Sequence, residues 1–395
     1  MEKDLSPNQR KYFPNLDGLR FVGSLIIIIL HIEDIKFKHG REVIPWIRYF
    51  HPTGEMDVTL FFVLSGFLIT FLLLQEKKKT NTIDLKAFYL RRTLRIWPLY
   101  FLIVILGFFV LPHLDAYFST AYSFHIYKHF WLYFIGCILF LSPIVRTATG
   151  LPQTIGPIWS IGVEEVFYLC WPLFLKRAKN YLKLFILIIA GIILLRNAVL
   201  LCEPLFNGSL ASENIFKFLR SMSVQYRISS MAIGGIGAYL VITENKKVLS
   251  FLFRRDVQFG IYLLTLGLLF SRIGLRAIGR ESFPSMNYEW YSVLFMCIIV
   301  NLAANPKSII KLDFPWMNYL GKISYGLYMY SPIMRILAME LIEKIAGRQI
   351  AGWQMNLIYY LTTILSTIGI AAVSYQLFEK RLLSFGKRFR VAKTA

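Results

Sequence analysis

The stretch LFFVLSGFLITFLLL (residues 60–74) decides the fold class of this chain, together with the three lysines at positions 77–79. The stretch holds no charged residue. With its flanks it approaches the ~20 mostly apolar residues that a helix needs to cross a bilayer. Lysines directly after such a stretch are typical of the cytosolic side of a membrane. The sequence therefore predicts a transmembrane helix that ends in the cytosol.

The rest of the chain repeats this pattern. Of its 395 residues, 56% are hydrophobic and only 17% are charged, and the charged residues collect between apolar runs. The mean hydropathy is +0.53. A soluble chain of this length would instead interleave charged faces among its apolar stretches. We expect an all-α, polytopic membrane helical bundle, formed as one integral-membrane domain over residues 1–395 without a fused soluble domain.

The net charge of +21 bears on the class of partner. The basic residues lie in short connections beside apolar runs, which is the positive-inside pattern rather than a nucleic-acid-binding surface. Membrane lipids with anionic headgroups and a phosphate-bearing cytosolic ligand are therefore the expected partners, and nucleic acid is not. No metal is expected, because the four cysteines form no CxxC pair and no carboxylate–histidine spacing is typical of a metal site.

The sequence contains eleven apolar segments. They lie at residues 16–35, 57–75, 97–112, 131–145, 157–175, 181–200, 224–243, 257–272, 289–304, 323–343 and 355–378. Basic connections after the second, seventh, ninth and eleventh segments indicate the cytosolic side. Two crossings back from the first of these connections, the N-terminus is expected in the cytosol as well.

The number of segments in the middle of the chain conflicts with this orientation. Five segments lie between the basic connection that ends near Arg95 and the one that starts near Glu244, yet an odd number of crossings cannot join two loops on one side. If the basic cluster at Lys176, Arg177, Lys179 and Lys183 is also cytosolic, the segment that fails to cross is 97–112, 131–145 or 157–175. We favour 157–175, because its glycines and the pair Glu164-Glu165 make a poor lipid-facing helix. About ten spans then remain, plus one non-crossing or re-entrant segment, with both termini in the cytosol.

Two ionisable side chains occupy the first segment. Arg20 and His31 share one helix face, since three turns separate them by about 16 Å along the axis. An ionisable residue inside a span is a candidate for function, and a neutral imidazole can take a proton from a hydroxyl near neutral pH. The alternative is that Arg20 reaches the cytosolic interface and His31 ends the span at the other side.

Three further arginines, Arg91, Arg92 and Arg95, lie close together after the second segment. If that stretch is helical, they share a face and can bind phosphates with forked hydrogen bonds. Ordinary positive-inside charge is the alternative. The pair Ser65-Gly66 in the second segment favours close packing of two helices over a nucleophilic serine, because no base neighbours it.

Two carboxylates, Glu164 and Glu165, follow Trp159 and Ser160 in an otherwise apolar stretch. Unpaired carboxylates there would be costly, so we expect cationic partners or a wet cavity beside them. A glutamate next to a histidine can orient the imidazole or stabilise its charged form. Arg227 is a weaker candidate, since it lies where interface charges are common.

Taken together, these motifs resemble the acyltransferase 3 family of integral-membrane O-acyltransferases. They occur in family order and cover nearly the whole chain. The resemblance is carried by Leu-Asp-Gly-Leu-Arg (16–20) with His31, Phe-Phe-Val-Leu-Ser-Gly-Phe-Leu-Ile (61–69), Arg92 with Arg95, Trp-Ser-Ile-Gly-Val-Glu-Glu-Val-Phe-Tyr (159–168), Leu-Gly-Lys-Ile-Ser-Tyr-Gly-Leu-Tyr (320–328), and Tyr375 with Glu379.

The resemblance implies a membrane enzyme at the cell envelope, placed in the plasma (inner) membrane. Its donor would be acetyl-CoA or another acyl-CoA on the cytosolic side, and its acceptor a hydroxyl of a carbohydrate or glycolipid. We expect catalytic roles for His31, Arg20, Glu164 and Glu165, and donor binding by Arg91, Arg92 and Arg95. Substrate-binding or supporting roles are expected for Asp17, Ser65, Trp159, Ser160, Arg227 and Tyr325.

The chain departs from the family pattern at three places. Ser229 and Thr59 stand where members often carry aspartates, and Ser331-Pro332 follows a motif that often precedes a histidine. Two alternatives to an acyltransferase therefore stay open, a polytopic transporter or flippase and a non-catalytic membrane partner. Neither would consume acyl-CoA.

Overall fold

The computed structural model describes residues 12–44, 54–113, 129–206, 209–270, 287–346 and 352–386. In these ranges the chain forms sixteen α-helices and no strand. They are α1 Pro14–Lys38, α2 Gly54–Thr80, α3 Leu85–Ile105, α4 Phe130–Ile138, α5 Ser142–Thr149, α6 Ile158–Arg177, α7 Tyr181–Leu201, α8 Leu210–Gln225, α9 Ile228–Ile242, α10 Lys246–Leu252, α11 Arg255–Phe270, α12 Asn287–Ala304, α13 Pro315–Lys322, α14 Ser324–Ala346, α15 Gly352–Ser374 and α16 Lys380–Gly386. The predicted all-α fold is confirmed.

Several of these helices are suited to a membrane. Five helical stretches are long and apolar enough to cross one, namely Val58–Thr80, Leu85–His113, Gln153–Arg177, Tyr181–Leu201 and Gly352–Gly386, and the apolar stretch Tyr288–Ala304 is shorter. Helices α1 and α14 have similar lengths, 25 and 23 residues, but carry more charged residues. The structure thus supports a membrane bundle with several apolar helices, and the number of about ten crossings stays a prediction.

The segment expected not to cross, residues 157–175, forms one continuous helix, and its non-crossing stays a prediction. It belongs to the 20-residue helix α6, whose stretch is long and apolar enough to span a bilayer. Its small and charged residues face protein instead of lipid, since Gly162 packs against the backbone of Phe140 and Glu164 is hydrogen-bonded to Ser65.

Residues 131–145 are broken instead. They divide into α4 with 9 residues and α5 with 8 residues. At about 1.5 Å per residue, neither helix covers the ~30 Å of a hydrocarbon core. This break makes 131–145 a second candidate for the segment that fails to cross.

Two other regions differ from the sequence-based expectation. The arginines of the connection after α2 lie in the first turns of α3, because Asp84 caps that helix by accepting a hydrogen bond from the Ala87 amide at 3.0 Å. Helix α8 was not expected, since its mixed polar sequence lacks an apolar run. A capping box between Ser209 and Ser212 starts it.

Helices α2 and α9 pack backbone to backbone. A Cβ atom at Gly66 would overlap the carbonyl of Met231, and one at Gly234 would overlap the carbonyl of Val63. The close packing predicted at Ser65-Gly66 is therefore confirmed for the glycine. Because only glycines allow this approach, they set the distance between α2 and its neighbours.

Helix α1 lies inside the bundle. It contacts α2, α12, α13, α14 and α15. Its buried residues include polar ones such as Asp17, Ser24 and Glu33. The helix that carries Arg20 and His31 is thus surrounded by protein along much of its length.

Candidate active site

An aspartate one turn away holds Arg20 in place. Arg20 Nη1 donates to Asp17 Oδ1 at 2.7 Å, and the Tyr12 hydroxyl donates to Asp17 Oδ2 at 2.6 Å. Partial burial and this hydrogen bond raise the pKa of Tyr12, which precedes α1. Asp17 thus links Tyr12 to Arg20, and its role as a supporting residue stays a prediction.

Arg20, Arg92 and Arg95 form what we call the arginine cluster. The three guanidinium groups come from α1 and α3 and lie within electrostatic range of one another. The Arg92 guanidinium also lies over the ring of Tyr168, 5.6 Å from its centroid, and Arg95 is exposed. Positive charge concentrated in this way suits phosphate groups, which guanidinium forks bind through paired hydrogen bonds.

Glu164 lies beside the arginine cluster. Its Oε1 accepts a hydrogen bond from Ser65 Oγ at 3.0 Å, and its Oε2 accepts one from the Tyr168 hydroxyl at 2.7 Å. Arg92 and Arg95 lie within electrostatic range of the carboxylate. The cationic partners expected for this partly buried glutamate are present, and Ser65 acts as a donor that joins α2 to α6.

Glu165 follows Glu164 in α6. The side chain of Trp97 lies near its carboxylate, and its Oε1 has no hydrogen-bond partner among the described residues. Nearby, the Tyr325 hydroxyl donates to the carbonyl of Ile96 at 3.0 Å and so joins α14 to α3. Both residues lie beside the arginine cluster, at the end of α1 that carries Arg20.

Arg91 pairs with Glu76 at the end of α2. Its Nη2 lies 3.4 Å from Glu76 Oε2, and Glu76 Oε1 accepts a hydrogen bond from the amide of Asp84 at 2.8 Å. This arrangement ties the end of α2 to the start of α3. Of the three arginines expected to bind the donor, the structure thus brings Arg92 and Arg95 to Arg20 and pairs Arg91 with Glu76.

His31 lines a cavity of about 600 Å³ at the other end of α1, which we call the His31 cavity. Trp159 and Arg227, both expected near the site, line it as well. His31 Nδ1 lies 2.9 Å from the carbonyl oxygen of Ile27. Because a carbonyl only accepts, Nδ1 donates this bond, and Nε2 is the basic nitrogen of the neutral ring. The structure therefore places a potential base at the cavity wall.

The segment that begins α6 forms part of this wall. The Arg146 guanidinium lies over the ring of Trp159, 4.3 Å from its centroid. Ser160 Oγ donates to the carbonyl of Pro157 at 3.0 Å and lies 3.0 Å from the Tyr328 hydroxyl. Trp159 thus borders the cavity directly, whereas Ser160 links the start of α6 to Tyr328 of α14.

Arg227 is fixed from two sides. Its guanidinium carbon lies 3.8 Å from the centroid of Tyr288, and its Nη1 donates to Thr59 Oγ1 at 3.0 Å. Thr59, one of the departures from the family pattern, therefore binds Arg227 through a hydroxyl. These two contacts orient the arginine.

A buried ion pair lies next to Arg227. Arg196 Nη1 is 2.7 Å from Glu289 Oε1, which also accepts a hydrogen bond from Ser229 Oγ at 2.7 Å. At the second departure, Ser229, a carboxylate is therefore present after all, contributed by Glu289 from another helix. The sequence analysis missed both members of the pair. An arginine inside the apolar segment 181–200 was the available signal.

The sequence analysis also missed Arg335, which lines the His31 cavity from α14. Its position inside the segment 323–343 was again a sign of function, because an arginine at such depth requires a polar neighbourhood. In the described ranges, no group of three or more histidine, cysteine, aspartate or glutamate side chains is placed to hold a metal ion.

Comparison with known proteins identifies the family. Residues 13–376 match the profile of the acyltransferase 3 family, described as an acyltransferase domain. The chain is 33% identical to the peptidoglycan O-acetyltransferase OatA of Listeria monocytogenes over 47% of this chain and 28% of that protein. It is 26% identical to the O-acetyltransferase OatA of Staphylococcus aureus and 24% identical to the putative peptidoglycan O-acetyltransferase YrhL of Bacillus subtilis, over 96% of this chain and 58% and 56% of those proteins.

The chain therefore spans less than two thirds of the length of these relatives. No solved structure matches it. The family profile nevertheless covers nearly all of its residues, from the turn before α1 to the π-helical turn after α15. As its motifs predicted, the chain belongs to the acyltransferase 3 family.

Proposed function

We propose that this chain is a membrane O-acyltransferase that moves an acetyl or other short acyl group from acyl-CoA to a hydroxyl of a cell-wall glycan. The observation that carries the proposal is that one helix, α1, joins the arginine cluster to the His31 cavity. Arg20 and His31 lie about 16 Å apart along this helix. A donor held at one end can thus present its acyl group at the other. The relatives, which include peptidoglycan O-acetyltransferases, support the type of reaction and the acceptor.

The arginine cluster is the proposed donor site. CoA carries several phosphate groups, and Arg20, Arg92 and Arg95 can bind them through paired, charge-assisted hydrogen bonds. Asp17 and Glu164 offset part of the mutual repulsion of the arginines before the donor binds. Arg95 is exposed, so a ligand can reach the cluster from solvent.

His31 is the proposed catalytic residue. Its Nε2 takes the proton of the acceptor hydroxyl while the hydroxyl oxygen attacks the thioester carbonyl carbon, and the C–S bond breaks. The CoA thiolate then leaves and receives the proton from the imidazolium. In a two-step form of the reaction, Nε2 attacks the thioester carbonyl carbon and the C–S bond breaks, which releases the CoA thiolate. The acceptor hydroxyl oxygen then attacks the same carbon, the C–Nε2 bond breaks, and the hydroxyl proton goes to the thiolate. Both forms need His31 and release one CoA for each ester formed.

Two carboxylates can assist from opposite ends of the site. Asp34 lies three residues after His31 and lines the same cavity, so we assign it to stabilising the imidazolium. Glu164 is hydrogen-bonded at the arginine cluster, and we assign it, with Glu165, to shaping the donor site. We place the arginine cluster on the cytosolic side of the plasma membrane, where acyl-CoA is made, and the His31 cavity on the opposite side.

The test compares wild type, His31→Ala and His113→Ala in proteoliposomes that contain acetyl-CoA and peptidoglycan fragments. CoA release and O-acetyl ester formation are measured together. We expect His31→Ala to lower turnover by about 10²–10⁴-fold, the usual contribution of a general base. His113→Ala is the matched control, because this exposed histidine lies outside both sites and should leave turnover unchanged.

Equal rates for His31→Ala and wild type would refute the histidine mechanism. Movement of glycan across the membrane without CoA release would instead indicate a transporter. The absence of both activities in wild type would favour a non-catalytic partner.

A further inference from the structure

We propose that Arg335 binds the carbonyl oxygen of the acyl donor and stabilises the negative charge that develops there while the acyl group is transferred. The inference rests on the proposed function, because it takes acyl transfer at His31 as the reaction. It goes further by assigning a catalytic contact to a residue that lies outside the motifs shared with the family.

Arg335 and His31 line the same cavity from two different helices. The residues that α14 contributes to the wall share one face of that helix, and they are Tyr328, Ser331, Pro332 and Arg335. Asp34 of α1 lies within electrostatic range of the Arg335 guanidinium, and it follows His31 by about 4.5 Å along the helix axis. The structure therefore brings a cation to the neighbourhood of the potential base.

The side chain of Arg335 is buried without a fixed acceptor in the described part of the chain. The residue is only 5% exposed, and its Nε has no hydrogen-bond partner among the described residues. Its neighbour Asp34 is held by Lys38, whose Nζ lies 3.0 Å from Asp34 Oδ2. A buried donor without an acceptor costs stability, and more so when it is charged. The guanidinium is therefore available to an acceptor atom that a ligand brings.

Two further arginines of the cavity wall, Arg146 and Arg227, are oriented by contacts with other side chains. The Arg146 guanidinium lies over the ring of Trp159, and Arg227 donates to Thr59. Arg335 differs from them because it combines burial with an N–H group that no described side chain accepts. This combination suits a donor whose acceptor is formed only during the reaction.

Acyl transfer creates such an acceptor. When the hydroxyl oxygen of the acceptor attacks the thioester carbonyl carbon, the π electrons of the C=O bond move onto the carbonyl oxygen, and the hydroxyl proton goes to His31 Nε2. Arg335 donates an N–H group to this negative oxygen. The C=O bond then forms again, the C–S bond breaks, and the CoA thiolate takes the proton from Nε2. A positive donor at the developing charge lowers the barrier, most strongly where little water is present.

The same contact serves the two-step form of the reaction. The carbonyl oxygen becomes negative when Nε2 attacks and again when the hydroxyl attacks, and Arg335 donates to it in both steps. The backbone of the donor is held in advance, because the Tyr359 hydroxyl donates to the carbonyl oxygen of Arg335 at 2.8 Å and joins α15 to α14. A preorganised donor needs little rearrangement at the moment of reaction.

The test changes Arg335 in the protein and, separately, the carbonyl oxygen in the donor. Wild type, Arg335→Gln, Arg335→Lys and Arg177→Gln are reconstituted in proteoliposomes, and CoA release is followed with peptidoglycan fragments as acceptor. Each protein is measured with acetyl-CoA and with its dithioester analogue, in which sulfur replaces the carbonyl oxygen. Sulfur is a weak hydrogen-bond acceptor, so the analogue weakens the proposed contact without changing the protein. Arg177 is exposed, lies outside the cavity and provides the matched control.

We expect Arg335→Gln to lower kcat for acetyl-CoA by about 10²–10³-fold, the usual effect of removing one donor to the negative oxygen, while KM for either substrate changes little. Arg335→Lys should keep part of the activity, because it keeps the positive charge. The ratio of the acetyl-CoA rate to the dithioester rate should be about tenfold lower in Arg335→Gln than in wild type, and intermediate in Arg335→Lys, as expected for the loss of one charge-assisted hydrogen bond. Arg177→Gln should match wild type in rate and in ratio.

An unchanged kcat in Arg335→Gln, or a rate ratio that stays at the wild-type value in the Arg335 variants, would overturn the inference. A raised KM for the acceptor with an unchanged kcat would also overturn it and make Arg335 a residue that only binds the acceptor. If Arg335→Gln aggregates in size-exclusion chromatography, the rate ratio of Arg335→Lys decides by the same criterion. In each of these cases a wild type that releases CoA keeps the proposed function intact, whereas a wild type without CoA release refutes both proposals.

Discussion

The buried ion pair between Arg196 and Glu289 allows a prediction of stability. Arg196 is 2% exposed and Glu289 is 5% exposed. Glu289 Oε1 accepts hydrogen bonds from Arg196 Nη1 and Ser229 Oγ, both at 2.7 Å. The substitution Glu289→Gln keeps the shape of the side chain but removes its charge, so that Arg196 loses its anionic partner.

The magnitude follows from this burial. Removing one member of a buried ion pair costs about 3–5 kcal/mol, because the remaining charge is left without compensation. The midpoint of thermal unfolding shifts by ~2–4 °C per kcal/mol for 150–250 residues and by about half of that for this chain of 395 residues, so it should fall by roughly 5 °C. Replacing both residues by methionine should cost much less, since no charge then remains buried.

The assay is thermal unfolding of the detergent-purified protein, and size-exclusion chromatography measures the fraction that stays monodisperse at each temperature. A third variant combines Glu289→Gln with Ser229→Asp. Arg196 Nη2 lies 3.3 Å from Ser229 Oγ, so an aspartate at position 229 can take over the pairing. We expect this combination to recover most of the lost stability.

The reasoning is refuted if Glu289→Gln unfolds at the wild-type temperature, or if the double methionine variant is less stable than the single one. Failure of Ser229→Asp to rescue would show that the position of the carboxylate, and not its charge alone, determines the stability.

Two further predictions concern helix packing and the donor site. Gly66→Leu should abolish folding, because the added atoms overlap the carbonyl of Met231. Gly191→Leu should be tolerated, since nothing lies within 4 Å of a Cβ atom at that position. The yield of monodisperse protein tests both variants. Arg92→Gln should raise the KM for acetyl-CoA about tenfold with a smaller effect on kcat, as expected for one charge-assisted contact. Arg91→Gln should lower thermal stability and leave KM unchanged, because Arg91 pairs with Glu76; a KM effect of similar size would place Arg91 in the donor site as well.

Much of the fold could be predicted from hydrophobicity alone. Apolar runs between basic connections predicted a helical membrane bundle, because membrane helices satisfy their backbone hydrogen bonds within one segment. Composition did not predict that residues 131–145 are broken into two short helices or that 158–177 form one continuous helix. The glycine and carboxylates of α6 face protein partners such as Ser65, so residues that would be unfavourable toward lipid are favourable here. Sequence composition does not show which face of a helix meets lipid.

The site was predictable in part. Arg20 and His31 could be placed on one face, because the helical repeat is a local property. The arginine cluster joins residues of α1 and α3. Arg91, which was predicted to act with Arg92 and Arg95, pairs with Glu76 instead. No local pattern indicates such pairings, since they depend on the distances between packed helices.

By itself, the sequence determined the membrane class of the protein, its family and the shared helix face of Arg20 and His31. These properties follow from hydrophobicity, from ordered motifs and from the period of one helix, and all three can be read along the chain. Only the tertiary structure decided which segment is broken, which arginines meet and that Arg335 completes the His31 cavity. Those features arise where helices distant in sequence bring charges together at low solvent exposure, and the energy of such contacts depends on their distance in space.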